Sequence, residues 1–305
     1  MKTIENGLYI QIYRDAIRGT PTIKQKKLLQ QLDILSQYKI VKGIAWHGFV
    51  GDLSVEKFNE LTKYCKERNL KSLAAYGLDS KEPEKYGKWI GEVANQPDCY
   101  SVIFDMESAW ESDDKKKTPV LLAKAKKMGE VFRSISPNSL AIDQPWPVPT
   151  YHWSFPWEET AEFIDIRAPQ YYVNNWIRQY GKEAYEKCWA WFEQSWKKLN
   201  ERLAKKNLVK PMIYTIQGYK WNLTDLIHCL CSNPTLIVWS DPFPDEVFML
   251  GLEIVNKLFS MGFTGPDAVR KFQEHWNMNN PKDKITVDNL FGKETAKRLG
   301  VRFIE

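Results

Sequence analysis

The sequence predicts an α/β fold, a (β/α)8 TIM barrel over residues 1–245 with a small all-α domain over residues 246–305. Three observations carry this. Eight short apolar runs alternate with longer amphipathic stretches. No Gly-rich phosphate turn follows the first run, which argues against an open doubly wound sheet. The prolines of Asp241-Pro-Phe-Pro-Asp245 then break regular structure ahead of a tail of different character.

The predicted strands fall at 7–13, 41–46, 71–76, 100–105, 139–143, 165–172, 211–215 and 236–239. Amphipathic stretches at 23–37, 55–68, 85–94, 120–134 and 182–205 supply helices between them. Polar and aromatic residues gather just past the strands. Arg14 and Asp15 follow the first, Trp46 and His47 the second, and Asp105 and Glu107 the fourth. Asp143 and Trp146 follow the fifth, Gln170 to Asn175 the sixth, and Trp239 to Asp241 the eighth. Barrel active sites lie at the C-terminal ends of the strands, so one pocket is expected to collect these groups. The tail reads as helices at 246–260 and 265–276, then a turn and a helix at 286–299. A unit this small sits near the lower limit for independent folding and suits binding better than a second catalytic role.

The 305 residues are 43% apolar and carry 13 Trp, 14 Tyr and 14 Phe, enough for a large core. Any surplus of aromatics on loops suits a carbohydrate or aromatic ligand. The net charge of +5 is mild, and runs such as Lys115 to Lys117 read as solvated helix faces. No basic stripe is regular enough for nucleic acid. The five cysteines have no framework spacing, which points to reduced thiols and a cytoplasmic origin. The start has no apolar signal region, and no apolar stretch approaches a membrane span.

The sharpest local pattern is Cys99-Tyr-Ser-Val-Ile-Phe-Asp-Met-Glu107, an apolar strand ending in two carboxylates. Side chains alternate along a strand, so Asp105 and Glu107 share a face and Met106 points away. Neighbouring carboxylates push their pKa values apart, and one then keeps a proton near neutral pH, as a general acid must. An isolated pair reads equally well as a helix cap or a salt bridge. No Gly-x-Ser-x-Gly elbow or Cys–His signature favours acyl transfer. His47 and His152 are expected near Asp241, but no ligand spacing supports a metal, so neither metal nor cofactor is expected.

These strand ends resemble the (β/α)8 glycoside hydrolases of family 18, the chitinase-like enzymes, and more loosely the family 25 lysozymes. The shared features are Asp105-Met-Glu107 on the fourth strand, Gln170-Tyr-Tyr172 followed by Asn174 and Asn175 on the sixth, and Trp239-Ser240 on the eighth. Asp143-Gln-Pro145 is similar to the family's fifth-strand ending, and Ile103 stands where its longer signature has a further Asp. The resemblance implies that Glu107 is the acid, that Asp105 orients the substrate's acetamido group, and that Tyr172 hydrogen-bonds the acetamido oxygen. It implies that Trp239 stacks on the sugar and that Gln170, Asn174 and Trp46 line the site. Asp143 either lines it too or caps the following turn.

A second resemblance covers residues 248–301. Ala268-Val-Arg-Lys-Phe-Gln273 and Val287-Asp-Asn-Leu-Phe-Gly292 are similar to the peptidoglycan-binding three-helix module. Asn289 stands where the module has Gly, and Asn tolerates the positive φ of such a turn. Phe272, Leu290, Phe291 and Leu299 are expected in its core. Together the resemblances imply a monomeric endolysin-like glycosidase of bacterial peptidoglycan, made in the cytoplasm without a signal peptide and acting on the cell wall. The alternatives are a chitinase-like hydrolase and a non-catalytic wall-binding protein on a degenerate barrel.

Overall fold

A computed structural model describes residues 3–13, 21–172, 184–240 and 243–304, apart from the side chains of 21–25 and 184–186. Strands and helices alternate as expected: β1 (Gly7–Ile12), α1 (Pro21–Leu35), β2 (Val41–Phe49), α2 (Val55–Lys66), β3 (Lys71–Leu78), α3 (Pro83–Ala94), β4 (Cys99–Met106), α4 (Thr118–Ile135) and β5 (Ala141–Asp143). Then follow α5 (Trp157–Phe163), β6 (Ile166–Arg167), α6 (Ala184–Ala204), β7 (Tyr214–Gln217), α7 (Leu223–Ser232) and β8 (Thr235–Ser240). Consecutive strands pair in parallel, β8 pairs with β1, and the bridges Arg167↔Met212 and Gln170↔Thr215 join the β6 and β7 sides. The fold is the predicted TIM barrel.

Most strands differ from expectation by a residue or two at their ends, and β2 and β6 differ most in length. β2 runs on to Phe49 because Gly48 and Phe49 still pair with Tyr76 and Gly77 of β3. β6 is two residues long, since Pro169 has no N–H to donate and the ladder past it is irregular.

Strand parity separates two cores. Tyr9, Ala45, Leu73, Ala75, Ile103, Ile142, Ala168 and Ile237 fill the barrel interior. Their neighbours, such as Ile10, Trp46, Phe104 and Val238, face the helices. In that outer layer Phe104 packs edge-on against Phe132 and Phe163, each at 5.1 Å between ring centroids. Gly129 of α4 makes room for this, because a Cβ there would lie 2.1 Å from the Phe163 ring. Gly129→Ala is therefore expected to destabilise the fold by about 1–3 kcal/mol. A thermal melt coincident with the parent's would contradict this packing argument.

Past β8, Asp245 caps α8 (Glu246–Ser260) by accepting from Phe248 N at 2.9 Å. A Cβ on Gly251 would lie 2.6 Å from Leu226 Cδ2, so α8 packs closely on α7. Its Asn256 Oδ1 accepts from Lys39 N at the α1–β2 turn, at 2.9 Å. The first helix of the expected tail thus covers the barrel in the position of its eighth helix. Beyond it, α9 (Ala268–Asn279) and α10 (Lys293–Leu299) flank a loop organised by buried Gln273. Gln273 Nε2 donates to Asp288 Oδ1, Leu290 O and Thr295 Oγ1, and its Oε1 accepts from Asp288 N and Asn289 N. Asn289 adopts φ 62°, the positive value anticipated for the turn. Phe272, Phe291 and Leu299 are buried as expected, but Leu290 is 57% exposed. The φ reversal at Asn289 and the Asp288 carboxylate, which accepts from Leu290 N, lay the Leu290 side chain outward.

All five cysteines are free thiols. Burial pushes Cys65 and Cys231 up to about 12, which leaves them unreactive. Among the described residues, no helix is long and apolar enough to cross a membrane, and no group of side chains has the makings of a metal site.

Candidate active site

A cavity of about 440 Å³ opens at the C-terminal end of the barrel. Asp105 and Glu107 lie on one wall, with Tyr172 and Trp239 among the other lining residues. Asp105 is the last inward residue of β4. Glu107 lies just past the strand, yet its φ of −124° and ψ of −147° keep the chain extended, so it faces the same way. Met106 between them is buried against the helices. Trp110 then pins the exit of the strand by donating its indole N–H to Leu78 O at 2.9 Å.

The two carboxylates share one donor. Gln170 Nε2 donates to Asp105 Oδ1 at 2.8 Å and to Glu107 Oε1 at 3.0 Å, and it lies 3.2 Å from Gln144 O. Gln144 is itself fixed from below, donating to Gln11 Oε1 at 2.7 Å and Thr215 Oγ1 at 3.0 Å. These buried amides form a polar floor above the apolar interior of the barrel. On the far side of Asp105, His47 Nε2 lies 3.2 Å from Oδ2, so that nitrogen carries the proton when Asp105 is ionised. The His47 ring stacks on Tyr13 at 5.0 Å.

Burial raises the pKa of Glu107, and the adjacent Asp105 raises it further; the Gln170 hydrogen bond and His47 oppose the shift. Tyr172 is driven well above the ordinary phenol range by burial and by both carboxylates, so its hydroxyl remains a donor. The Trp239 ring lies 6.0 Å from Tyr172, 5.6 Å from Tyr219 and 6.3 Å from Tyr13, giving an aromatic wall beside the acids. Glu107, Asp105, Tyr172, Gln170 and Trp239 are thus brought together.

Two expected site residues lie elsewhere. Trp46 is fully buried among the side chains between barrel and helices, because His47, its neighbour on β2, takes the inward parity. Asp143 also faces outward. It is 0% exposed and accepts from Arg167 Nη1 at 2.8 Å, while Gln144 takes the inward position. Neither Trp46 nor Asp143 can touch a ligand in the cavity. Asn174, Asn175, Arg14, Asp15 and Asp241 lie outside the described residues. His152 does not join His47; it pairs with Glu111 Oε2 at 2.8 Å. Tyr171 packs in the core against Trp189 and Phe192, as expected.

The structure adds Tyr13, Phe49, Gly77 and Asp79 to the cavity wall. Gly77 pairs with Phe49 on one side and Asp105 on the other, and a Cβ there would lie 2.8 Å from the Phe49 ring. Asp79 is occupied in accepting from Tyr86 Oη at 2.6 Å and Lys81 N at 2.9 Å. The available signal for these residues was parity, since each follows an inward strand position by two.

No protein-family model and no curated protein sequence matches the chain. Among solved structures it is similar to an endo-1,4-beta-D-mannanase from Thermotoga petrophila RKU-1, with TM-score 0.54 and 12% identity over 84% of this chain and 99% of that one. It is similar to an endo-1,4-beta-mannanase from Rhizomucor miehei, with TM-score 0.57 and 10% identity over 84% and 95%. The PgaB (BpsB) glycoside hydrolase domain from Bordetella bronchiseptica gives TM-score 0.53 and 11% identity over 83% and 98%. At these identities what the chain shares with two mannanases and a glycoside hydrolase domain is the barrel fold.

Proposed function

We propose that this chain is a glycoside hydrolase cleaving β-1,4 bonds between N-acetylated amino sugars, with bacterial peptidoglycan as its substrate. The observation that carries the reading is the Asp105–Glu107 pair, bound by one Gln170 nitrogen on the wall of a cavity that Tyr172 and Trp239 also line.

The chemistry follows from that pair. Glu107, whose pKa burial and Asp105 raise, in its protonated form gives its proton to the leaving glycosidic oxygen as the bond from the anomeric carbon breaks. Both carboxylates lie within hydrogen-bond reach of one nitrogen, too close for the roughly 6.5–9.5 Å gap in which an inverting pair holds its water. Among the described residues, the only other carboxylate on the cavity wall is Asp79, which already has its partners. The substrate's acetamido oxygen then serves as the nucleophile and closes onto the anomeric carbon. Asp105 accepts from the acetamido N–H and offsets its growing positive charge. Tyr172 directs the acetamido oxygen by donating to it, and Trp239 supports the apolar face of the sugar. Water opens the intermediate, with Glu107 now acting as base. The loop organised by Gln273 in the C-terminal helices supports a role in holding the wall polymer, in line with the resemblance to a peptidoglycan-binding module.

The test is digestion of purified sacculi and, in parallel, of chitin, with mass spectrometry of the released sugars. New reducing ends from sacculi support the reading. Cleavage of chitin alone assigns the barrel to free chitin, and binding to sacculi without any reducing ends removes the enzymatic role. Asp105→Asn supplies a second check. Removing that neighbouring charge lowers the pKa of Glu107, so the alkaline limb of residual kcat/KM moves to lower pH. An unmoved limb would mean that Glu107 is not the acid being titrated.

A further inference from the structure

We propose that the β5–α5 loop is an outer sugar-binding platform, and that the enzyme binds a glycan chain lengthwise across the barrel mouth. This rests on the glycosidase reading above and extends it to the length of the substrate.

Among the described residues, the exposed large aromatic side chains are Phe49, Tyr151 and Trp153, and Tyr151 and Trp153 are 70% and 44% exposed. Single exposed apolar residues are ordinary on protein surfaces. These three all follow the C-terminal ends of strands, on the face that bears the cavity. Phe49 ends β2, next to β1, while Tyr151 and Trp153 follow β5. In the ring of eight strands, β5 lies three places from β2, with β3 and β4 between them. An extended chain running between the two aromatic positions therefore spans the β3 and β4 side of the mouth and passes Glu107 at the end of β4.

The loop is also built rigidly, as a preorganised binding surface must be. Trp196 Nε1 holds Pro147 O at 2.9 Å, and Trp157 Nε1 holds His152 O at 2.8 Å. Ser195 Oγ accepts from Thr150 N at 3.0 Å. His152, between the two exposed aromatics, stacks on Trp146 at 5.1 Å with 14° between the planes, and Glu111 Oε2 fixes its Nδ1. Arg202 lies over Trp153, 4.9 Å from the ring centroid, and props that side chain from the α6 side. Aromatic rings held open to solvent on a fixed loop suit the apolar face of a pyranose ring. The chain is also joined directly to the reacting groups, since Gln170 N donates to Pro145 O one residue before Trp146.

The experiment measures KM for β-1,4 N-acetylglucosamine oligomers from the disaccharide to the hexasaccharide, in the parent and in Tyr151→Ala/Trp153→Ala. In the parent, KM falls as the chain lengthens. In the double variant that gain disappears, raising KM for the hexasaccharide by at least about fivefold. Tyr151→Phe/Trp153→Phe keeps the ring faces and restores most of the gain. A double alanine variant with the parent's length dependence overturns the platform while leaving the glycosidase reading intact. A loss that the phenylalanine variant does not recover assigns these residues a purely structural role and also overturns it. A parent that neither cleaves nor binds any oligomer overturns the platform, while the glycosidase reading is decided by the digestion of sacculi.

Discussion

Glu107→Gln is expected to lower kcat on peptidoglycan by about 10²–10⁴-fold, the usual contribution of a positioned general acid. The substitution is nearly isosteric, and its amide oxygen can still accept from Gln170 Nε2, which now reaches Glu107 Oε1 at 3.0 Å. Only the transferable proton is lost. Binding to sacculi should therefore persist, and the thermal melt should stay close to the parent's. The pH profile adds a signature. Burial and the Asp105 charge raise the pKa of Glu107, which extends its protonated form toward neutral pH and places the alkaline limb of the parent above that of an ordinary carboxyl. The residual activity of the variant should lack that limb. If purified Glu107→Gln releases reducing ends at the parental rate, another group supplies the proton and the assignment falls.

Residues two apart on one strand were the readable part of this site. Asp105 with Glu107 shows in the sequence because the period of a strand is fixed by covalent geometry. The strand count shows for a similar reason, since eight apolar runs separated by helical stretches leave few other topologies. Which parity faces inward is harder to read. A parallel barrel strand is buried on both faces, so both parities look apolar and polar residues at its end are ambiguous. That ambiguity put Trp46 in the pocket along with His47, and Asp143 where Gln144 stands. Partner choice is harder still. His47 meets Asp105, and Gln144 meets Gln11 and Thr215, only because barrel closure brings distant strands together. Local sequence carries no trace of those pairs. Leu290 shows the same limit on a smaller scale, since its exposure follows from the backbone reversal at Asn289 and not from its spacing.

The second large effect concerns the other aspartate. Arg167→Met is expected to destabilise the barrel by about 3–5 kcal/mol at neutral pH, the usual result of removing one partner of a buried ion pair. Whole domains have only about 5–15 kcal/mol to lose. Arg167 is 1% exposed and Asp143 0%, and the guanidinium donates to Asp143 Oδ2 at 2.8 Å and to Trp157 O at 2.7 Å. Methionine fills similar space but leaves the carboxylate in the core without its guanidinium, while Trp157 O keeps the bond from Thr160 Oγ1 at 3.2 Å. Burial already pushes Asp143 from 3.8 up to about 6, although the Arg167 charge pulls it down; without that charge it climbs further. The sign of the pH dependence follows. A carboxyl whose folded pKa exceeds its unfolded value binds the extra proton in the folded state, so its stabilising contribution is fullest below about pH 4 and fades as pH rises through the folded pKa. The deficit of Arg167→Met should therefore be smaller at acid pH than at mildly alkaline pH, measured as the shift in urea midpoint against the parent at each pH. Arg167→Met/Asp143→Leu removes both charges and should recover most of the loss, because an apolar pair of similar volume needs no donors. Equal midpoints for the parent and the single variant at alkaline pH would show that the pair holds nothing together. A deficit that the double variant fails to reduce would move the cause from the stranded carboxylate to the Arg167 contact with Trp157.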